Sequence, residues 1–147
     1  MLNASQRKRF EQAKKADSPV MIVTQAEAEA AEKDKKTSIK TWRFKATNVR
    51  DFAFASSRKF IWDAQNVKVG DKNILCMSFY PKEGNPLWER YSTKLVAHTI
   101  KTYSKYTVDY TYPVAISVHS KWIGMEYPMI CFNGGRPEED GTYSEGE

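Results

Sequence analysis

The sequence predicts an α+β fold, and three patterns indicate it. Apolar residues recur at every third or fourth position between Leu87 and Tyr103, which is the spacing of one helix face. From Ile39 onward apolar and polar residues alternate with the period-two pattern of strands. Gly70-Asp71 is the strongest turn signal, so we place a boundary there and predict two unequal parts, residues 1–70 and 71–147.

The first part is predicted to begin with two helices separated by a short strand. Ser5 is a candidate cap for a helix that ends near Ala16, before Asp17-Ser18-Pro19. The apolar run 20–23 has the length of a strand. Thr24 and Glu27 have the spacing of a capping box, which predicts a second helix running to about Lys35.

Three strands are predicted between these helices and the boundary. They rest on the alternation of large apolar residues with smaller or polar ones. The residues that set them are Ile39, Trp42 and Phe44 for the first, Phe52 and Phe54 for the second, and residues 60–64 for the third.

The second part is predicted to contain strands around one long helix. Pro81 ends a strand, and Pro86 suits the first turn of a helix because its missing N–H is harmless there. The predicted elements are strand 73–80, helix 88–106, and strands 114–119 and 127–132 with a loop at Gly124 between them.

Composition excludes some classes of function and leaves others open. With 147 residues and 41% hydrophobic content, the chain has enough apolar mass for one domain or two partial ones. No apolar run approaches the roughly 18 residues that span a bilayer, so we expect no membrane segment. Residues 1–10 show no secretory signal pattern, and the compartment stays unknown.

The net charge of +5 raises the question of nucleic-acid binding. Residues 138–147 hold five acids and no base, so residues 1–137 carry 23 bases against 13 acids. The only dense basic cluster lies in the first predicted helix, where a charged face is usually solvated. No nucleic-acid-binding signature accompanies it, and we expect no nucleic-acid partner.

The two cysteines and two histidines form no ligand motif. Cys76 and Cys131 match no zinc or redox spacing, so we expect free thiols. His98 lies near the apolar stripe of its helix and is interpreted as a hydrogen-bonded structural histidine. His119 ends a strand just before the Gly124 loop, from where it could line a cleft, although nothing pairs with it in sequence.

Five consecutive residues, Gly124-Met125-Glu126-Tyr127-Pro128, carry the main functional signal. They resemble the Gly-x-Met-Glu-Asn exopeptidase loop of zinc aminopeptidases of the gluzincin class, the alanyl aminopeptidase and leukotriene hydrolase-like peptidases. The resemblance implies that Glu126 holds the free α-ammonium of a peptide substrate, with Gly124, Met125 and Tyr127 completing the substrate-binding loop. A carboxylate suits that role because a cation entering a partly desolvated cleft needs a charge-assisted partner.

The surrounding segments follow the order of that family. Residues 41–44 and 49–57 resemble the closing strands of its N-terminal β-domain. Residues 88–106 resemble the helix that opens the thermolysin-like catalytic lobe, and 109–113 a segment preceding a core strand. The resemblance therefore implies terminal strands of a β-domain in residues 1–70 and the opening mixed sheet and helix of the catalytic domain in residues 71–147.

The zinc motif of that family is missing from this sequence. Gluzincins bind zinc through His-Glu-x-x-His on one helix and a Glu on the next. His98 and His119 are twenty-one positions apart, so they cannot present ligands from adjacent turns. We interpret the chain as a fragment of a zinc-dependent aminopeptidase, with no catalytic or metal-binding residue of its own and with the remainder of the catalytic domain as a partner. Zinc is expected in the full-length parent and not on this chain.

Two departures from the family motif bear on the loop. Ile123 stands where the motif has its first Gly, and a β-branched residue resists a positive φ. Tyr127 replaces the motif's Asn, so the hydrogen bonds that orient Glu126 differ from the common form. Trp122 adds bulk beside the loop, either against the cleft wall or over the sheet edge.

An alternative interpretation is a stand-alone, non-catalytic module that binds peptide N-termini or another partner without cutting. The reading frame beyond Glu147 discriminates the two. A His-Glu-x-x-His within about fifty residues favours the enzyme fragment, and a stop codon favours the module.

Overall fold

The computed structural model describes residues 2–34, 39 and 41–142. Three α-helices and six strands lie along this part of the chain, which confirms the α+β class. In chain order they are α1 (Ala4–Ala13), β1 (Val20–Val23), α2 (Gln25–Lys33), β2 (Ile61–Val69), β3 (Lys72–Tyr80), α3 (Thr93–Tyr106), β4 (Val114–His119), β5 (Met125–Tyr127) and β6 (Ile130–Asn133). A 3-10 turn (Lys82–Gly84) and a π-helical turn (Trp88–Ser92) lead into α3.

All six strands belong to one mixed sheet in the order β1-β2-β3-β4-β6-β5. β1, β2 and β3 are antiparallel, β3, β4 and β6 run parallel to one another, and β5 returns antiparallel to β6. β1 also carries an irregularity in register between Met21 and Val23. The connection from β3 to β4 passes through α3, as parallel neighbours require a crossover.

The predicted boundary near residue 70 lies inside a β-hairpin. Gly70 adopts a positive φ of 55° in the turn that joins β2 to β3, as the turn signal predicted. β2 and β3 then pair along nine residues from Ile61↔Tyr80 to Val69↔Lys72. Residues on both sides of the boundary therefore share one sheet, and their assignment to different domains of a longer protein stays a prediction.

The two N-terminal helices form largely as predicted, with corrected ends. Asn3, and not Ser5, caps α1, because its side chain accepts the Gln6 N–H while the Gln6 side chain accepts the Asn3 N–H. α1 ends at Ala13, earlier than predicted. The Thr24 capping box of α2 is confirmed. α2 ends at Lys33, and the predicted end at Lys35 lies outside the described residues.

The strands predicted from Ile39 to Phe54 are wrong for the residues that the structure describes there. Residues 41–59 are irregular, and Ile39 is almost fully exposed. Phe44 instead stacks on Phe54 at 5.6 Å between ring centroids and contacts Phe52 at 6.3 Å. Alternation predicts a strand only where a partner strand supplies hydrogen bonds, and none lies beside this segment among the described residues. The third predicted strand is real and continues to Val69 as β2.

Two apolar layers hold the sheet between helices. On one face α3 packs over β2, β3 and β4. On the other face α1 packs over β1, β2 and β3. The buried residues are Val67, Val69, Ile74, Cys76, Ala97, Ile100 and Ala115 in the first layer, and Ala13, Ile22, Ala64 and Met77 in the second.

In the C-terminal part of the chain, the predicted helix is confirmed and the last predicted strand is wrong. The helix predicted at 88–106 forms as the π turn followed by α3, and strand 114–119 forms as β4. The single strand predicted at 127–132 is two antiparallel strands, β5 and β6, joined at Pro128 and Met129. Met129 adopts a positive φ of 71°, which is uncommon for a residue with a side chain and has no sequence signal.

Candidate functional site

β5 is a three-residue edge strand that carries Glu126 at its centre. It pairs with β6 on one side, and its outer edge pairs with no strand of the described chain. Gly124 precedes it with a φ of 81° and donates its N–H to the Phe132 carbonyl at 3.2 Å. A Cβ at Gly124 would meet nothing within 4 Å, so the space beside the strand is open. This edge can therefore accept an extended chain.

Met125, Glu126 and Tyr127, which were predicted to belong to the substrate-binding loop, differ in how far they are exposed to solvent. Glu126 is exposed, with Cys131 as its register partner on β6. Met125 is 49% exposed. Tyr127 is half-buried and packs edge-on against the Phe132 ring at 6.3 Å. The carboxylate of Glu126 is thus the charged group that the edge strand presents to solvent.

Glu126 ends a polar row that crosses five strands of the sheet. The register aligns Asp63 on β2, Ser78 on β3, Ser117 on β4, Cys131 on β6 and Glu126 on β5. Residues that are paired in register share a face of the sheet. The face is the one that α3 covers, since Thr93 at the start of α3 contacts Asp63 and Ser78.

The buried end of the row is a hydrogen-bonded chain. The Tyr80 hydroxyl donates to Asp63 Oδ2 at 2.8 Å, and the Thr93 hydroxyl lies within hydrogen-bonding distance of Asp63 Oδ1 and, at 2.7 Å, of Ser78 Oγ. Ser78 Oγ lies 2.7 Å from Ser92 Oγ. A hydroxyl has one proton to donate, so Thr93 can donate to the ionised Asp63 carboxylate, whereas a protonated Asp63 can itself donate to Thr93 and leave the Thr93 proton for Ser78.

Burial raises the pKa of the Asp63 carboxyl from 3.8 to about 6, against the lowering effect of the hydrogen bonds from Thr93 and Tyr80. Sequence reasoning missed this residue. The available signal was an aspartate inside an apolar run of strand length, at a position that alternates with Ile61 and Gln65. An acid on an inward-facing strand position requires hydrogen-bond partners from the neighbouring strand.

Asn133 hydrogen-bonds two residues near the exposed end of the polar row. Its side-chain amide donates to Ser117 Oγ at 2.8 Å and to Cys131 Sγ at 3.2 Å. Burial raises the pKa of the Cys131 thiol, and the nearby Glu126 carboxylate also raises it. A thiol held in its protonated form is a poor nucleophile. Cys76 is buried and free, as predicted, and Cys131 is also free.

A wide apolar groove of about 760 Å³ lies beside this row. One wall is the π turn with α3, and the other is formed by β4, β6 and the β5–β6 turn. The wall on the helix consists of Leu87, Trp88, Tyr91, Ser92, Leu95, Val96, Thr99 and Ile100, and the wall on the sheet includes Ala115, Ser117, Met129, Cys131 and Asn133. Its volume is in the range of sites that take organic ligands or side chains of a partner.

The histidines do not converge on the groove or on Glu126. His119 is buried against the Trp88 ring at 5.1 Å, and Arg136 Nε lies 3.3 Å from His119 Nε2. Burial and the Arg136 charge lower the pKa of His119, so the ring is neutral and accepts at Nε2. His98 has the predicted hydrogen bond, with its Nε2 3.3 Å from Thr102 Oγ1, but it is exposed on α3 and does not pack with the apolar stripe as a structural histidine.

Trp122 is 81% exposed, so it covers neither the groove wall nor the sheet edge.

The donor set does not fit a zinc site. Among residues 2–34, 39 and 41–142, no three His, Cys, Asp or Glu side chains come together as metal ligands. His119 already accepts from Arg136, and His98 lies apart on the outer side of α3. None of the described helices has the length and apolar character needed to cross a membrane.

Comparisons with protein-family models, with curated proteins and with solved structures found no match for this chain. The fold and the site thus define an α+β protein with an acidic edge strand beside an apolar groove. The resemblance to gluzincin aminopeptidases stays a prediction.

Proposed function

We propose that this chain is part of a zinc-dependent aminopeptidase of the gluzincin class, and that Glu126 binds the free α-ammonium of the peptide substrate. One observation carries the proposal. Glu126 lies at the centre of a short edge strand whose outer side pairs with no other strand of the described residues, so an extended peptide can pair there. Main-chain hydrogen bonds to such an edge give affinity, and a single carboxylate then selects for a free amino terminus.

The geometry around Glu126 supports this role. Gly124 leaves open space where a side chain would stand, so a peptide backbone can approach the strand closely. The turn at Pro128 and Met129 limits β5 to three residues, so only the first residues of a peptide find a pairing edge. Both features favour recognition of a chain end over recognition of a long segment.

Zinc chemistry in the parent would be supplied by residues other than those described. Zinc, where bound in such a peptidase, activates the water that attacks the peptide bond. The residues of this chain contribute the edge strand and the carboxylate that position the substrate amine. The expected parent contains His-Glu-x-x-His beyond Glu147, and sequencing the reading frame tests this directly. A stop codon in its place would favour the non-catalytic peptide-binding module, in which Glu126 keeps the same role.

Binding of short peptides by this chain tests the role of Glu126. The probe is a fluorescent tetrapeptide with a free amino terminus, paired with the same peptide N-acetylated. We expect the free peptide to bind and Glu126→Gln to weaken it by about ten- to a hundredfold, because a charge-assisted hydrogen bond is worth roughly 1.5–3 kcal/mol. The matched control is Glu139→Gln, which removes an exposed carboxylate elsewhere and should change nothing.

The acetylated peptide is the internal control. It has no ammonium, so its weak binding should be equal in wild type and Glu126→Gln. Equal losses on both peptides would mean that Glu126 acts on the structure of the edge strand and not on the amine. In the intact parent, Glu126→Gln should lower kcat/KM for the peptide with a free amino terminus and leave kcat/KM for the acetylated peptide unchanged.

A further inference from the structure

A chain of hydroxyl groups runs from the buried acid Asp63 to the wall of the groove. Thr93 lies between Asp63 and Ser78, with 2.7 Å between Thr93 Oγ1 and Ser78 Oγ, and Ser78 Oγ lies 2.7 Å from Ser92 Oγ. The first three residues are each at most 2% exposed, whereas Ser92 is half-buried and lines the groove. We call these four side chains the hydroxyl relay. It connects a group that can gain or lose a proton to an open surface of the protein.

The hydroxyl relay has no side branch within the described part of the chain. There the side chains of Thr93, Ser78 and Ser92 hydrogen-bond only to members of the relay. The end at Asp63 is closed, because Asp63 Oδ2 accepts from the Tyr80 hydroxyl at 2.8 Å. A proton on the acid therefore lies on Oδ1, the oxygen that faces Thr93. The order of donation along the relay can then be found by counting protons.

The number of protons decides the direction of donation. The relay has three contacts, Asp63–Thr93, Thr93–Ser78 and Ser78–Ser92, and its three hydroxyls carry three protons. When Asp63 is ionised, each hydroxyl donates toward the carboxylate, and Ser92 has no proton left for the groove. When Asp63 is protonated, it donates to Thr93 and each following hydroxyl donates away from it, so the Ser92 proton is free. Every contact keeps a hydrogen bond in both forms, and only its direction changes.

We infer that the hydroxyl relay is a switch that carries the ionisation state of Asp63 to the groove. Ser92 presents a hydrogen-bond donor to the groove when Asp63 is protonated, and only acceptor lone pairs when Asp63 is ionised. Burial brings the change near neutral pH, because it raises the pKa of Asp63 to about 6 against the lowering effect of the hydrogen bonds from Thr93 and Tyr80. By linkage, a group that accepts from Ser92 in the groove favours the protonated acid. The inference does not rest on the proposed role of Glu126.

Two charged side chains act on Asp63 from the described elements that pack against it. Glu89 of the π turn raises its pKa, and Lys94 of α3 lowers it. β3 contributes the Tyr80 hydroxyl, and β1 contributes the apolar Met21, the register partner of Asp63. The glutamates of α2 pair with basic residues instead. The variants below keep both charges, so any change in titration comes from the relay.

The first test measures the pKa of Asp63 in the full chain by NMR titration of its carboxyl carbon, assigned by its absence in Asp63→Asn. Ser92→Ala leaves the buried Ser78 proton without an acceptor when Asp63 is protonated, but it removes no donor between Ser78 and the ionised acid. We expect the pKa of Asp63 to fall by roughly one unit, because an unpaired buried hydroxyl is costly. The matched control is Ser117→Ala, in the same polar row but outside the relay, which should leave the pKa unchanged.

A double-mutant cycle tests whether the effect travels through Thr93. Thr93→Val removes the hydroxyl that joins Asp63 to Ser78 and keeps a branched side chain of similar size. In that background Ser92→Ala should no longer change the pKa of Asp63, since the two residues are no longer connected. Well-dispersed amide spectra identify the variants that are folded.

A second readout reports on the groove end of the relay and does not depend on the folding of Thr93→Val. Ser92→Cys places a thiol there, and its S–H stretching band in the infrared changes frequency when the thiol donates a hydrogen bond. The band should shift between about pH 5 and about pH 7, because the thiol donates to Ser78 only when Asp63 is ionised. Subtracting the wild-type spectrum removes the bands of Cys76 and Cys131. Adding Asp63→Asn should abolish the shift.

Three results would overturn the inference. The first is an Asp63 pKa that is the same in wild type and Ser92→Ala, or that Ser117→Ala lowers equally. The second is an effect of Ser92→Ala that persists in full in Thr93→Val. The third is an S–H band in Ser92→Cys that does not respond to pH, or that still responds after Asp63→Asn.

Discussion

The two halves of the sheet differ in how their faces are covered. α1 packs over β1, β2 and β3 on one face, and α3 packs over β2 and β3 on the other, so the inward residues of these strands are buried. β4 lies at the margin of α3, and β6 and β5 follow it in the sheet, where the groove leaves part of the same face open and β5 is exposed. We call these the covered half and the open half. Apolar burial stabilises the covered half, whereas the open half carries the groove and the acidic edge at which we propose that a peptide binds.

The polar row connects the two halves and changes character along its length. At its covered end Asp63 is enclosed by Tyr80 and Thr93, where burial favours the protonated acid. At its open end Glu126 is in solvent. Two carboxylates on one face of one sheet therefore differ in their surroundings: the first joins α3 to the sheet through Thr93, and the second is exposed and is the one that we propose binds a cation.

The largest expected effect is on stability in the covered half. Ile74 is fully buried between β3 and α3, so Ile74→Ala removes its transfer free energy and leaves a cavity. We expect the free energy of unfolding to fall by about 2–5 kcal/mol, measured as the shift in the urea midpoint at constant m. A loss below about 1 kcal/mol would mean that this layer is loosely packed and that the two halves do not differ as described.

The second effect is a pH dependence from Asp63. Its pKa is raised from 3.8 to about 6 in the folded state, so the folded chain holds a proton that the unfolded chain has released. The favourable contribution is complete below about pH 4 and is lost as pH rises toward 6, by up to about 3 kcal/mol. Asp63→Asn, which mimics the protonated acid, should remove this loss.

The measurement is the difference in unfolding free energy between wild type and Asp63→Asn across that pH range. Other acids, such as Glu27, have lowered pKa values and act in the opposite direction, so only the difference isolates Asp63. A difference that does not change with pH would show that Asp63 ionises in the folded chain as it does in the unfolded one.

A smaller effect is expected at the entrance to β5. Gly124 has a φ of 81° with open space where a Cβ would be, so Gly124→Ala is opposed by backbone strain and not by a clash. We expect a loss of about 1 kcal/mol. Gly124→Asn should lose less than Gly124→Ala, because asparagine tolerates the left-handed conformation better. Thermal unfolding of the two variants tests the order, and an equal or reversed order would contradict the assigned conformation.

The smallest effect is expected on the groove wall. Leu95→Ser replaces an exposed apolar side chain, so the free energy of unfolding should stay within about 0.5 kcal/mol of wild type. The same variant should reduce the fluorescence of a dye that binds apolar surface, because Leu95 is part of the open groove. A large loss of stability with unchanged dye fluorescence would place Leu95 in the covered half.

Local signals predicted the covered half well. The Thr24 and Glu27 box, the Gly70 turn and the apolar spacing of α3 each depend on neighbours within a few residues, and each formed. The failures depend on distant partners. The alternation between Ile39 and Phe54 contains no information about which strand lies beside it, and the turn at Met129 has no side-chain signal.

The residues of the candidate site show the same difference between local and long-range signals. Glu126 was predicted as a site residue from a short motif, and the structure places it on an edge strand, while its role in binding a peptide stays a prediction. Asp63 and its partners were missed because Tyr80 and Thr93 are seventeen and thirty residues away in sequence. Contacts of that range follow from the register of β2 with β3 and from the docking of α3, which one-dimensional patterns do not encode.

The lengths of the two outer strands have a consequence for solubility. β1 has four residues and an irregular register, and β5 has three. Neither offers the long, flat template on which copies of a chain stack into fibrils. When this protein comes out of solution, we expect disordered precipitate assembled through apolar side chains, which would bind little thioflavin T and redissolve in mild urea.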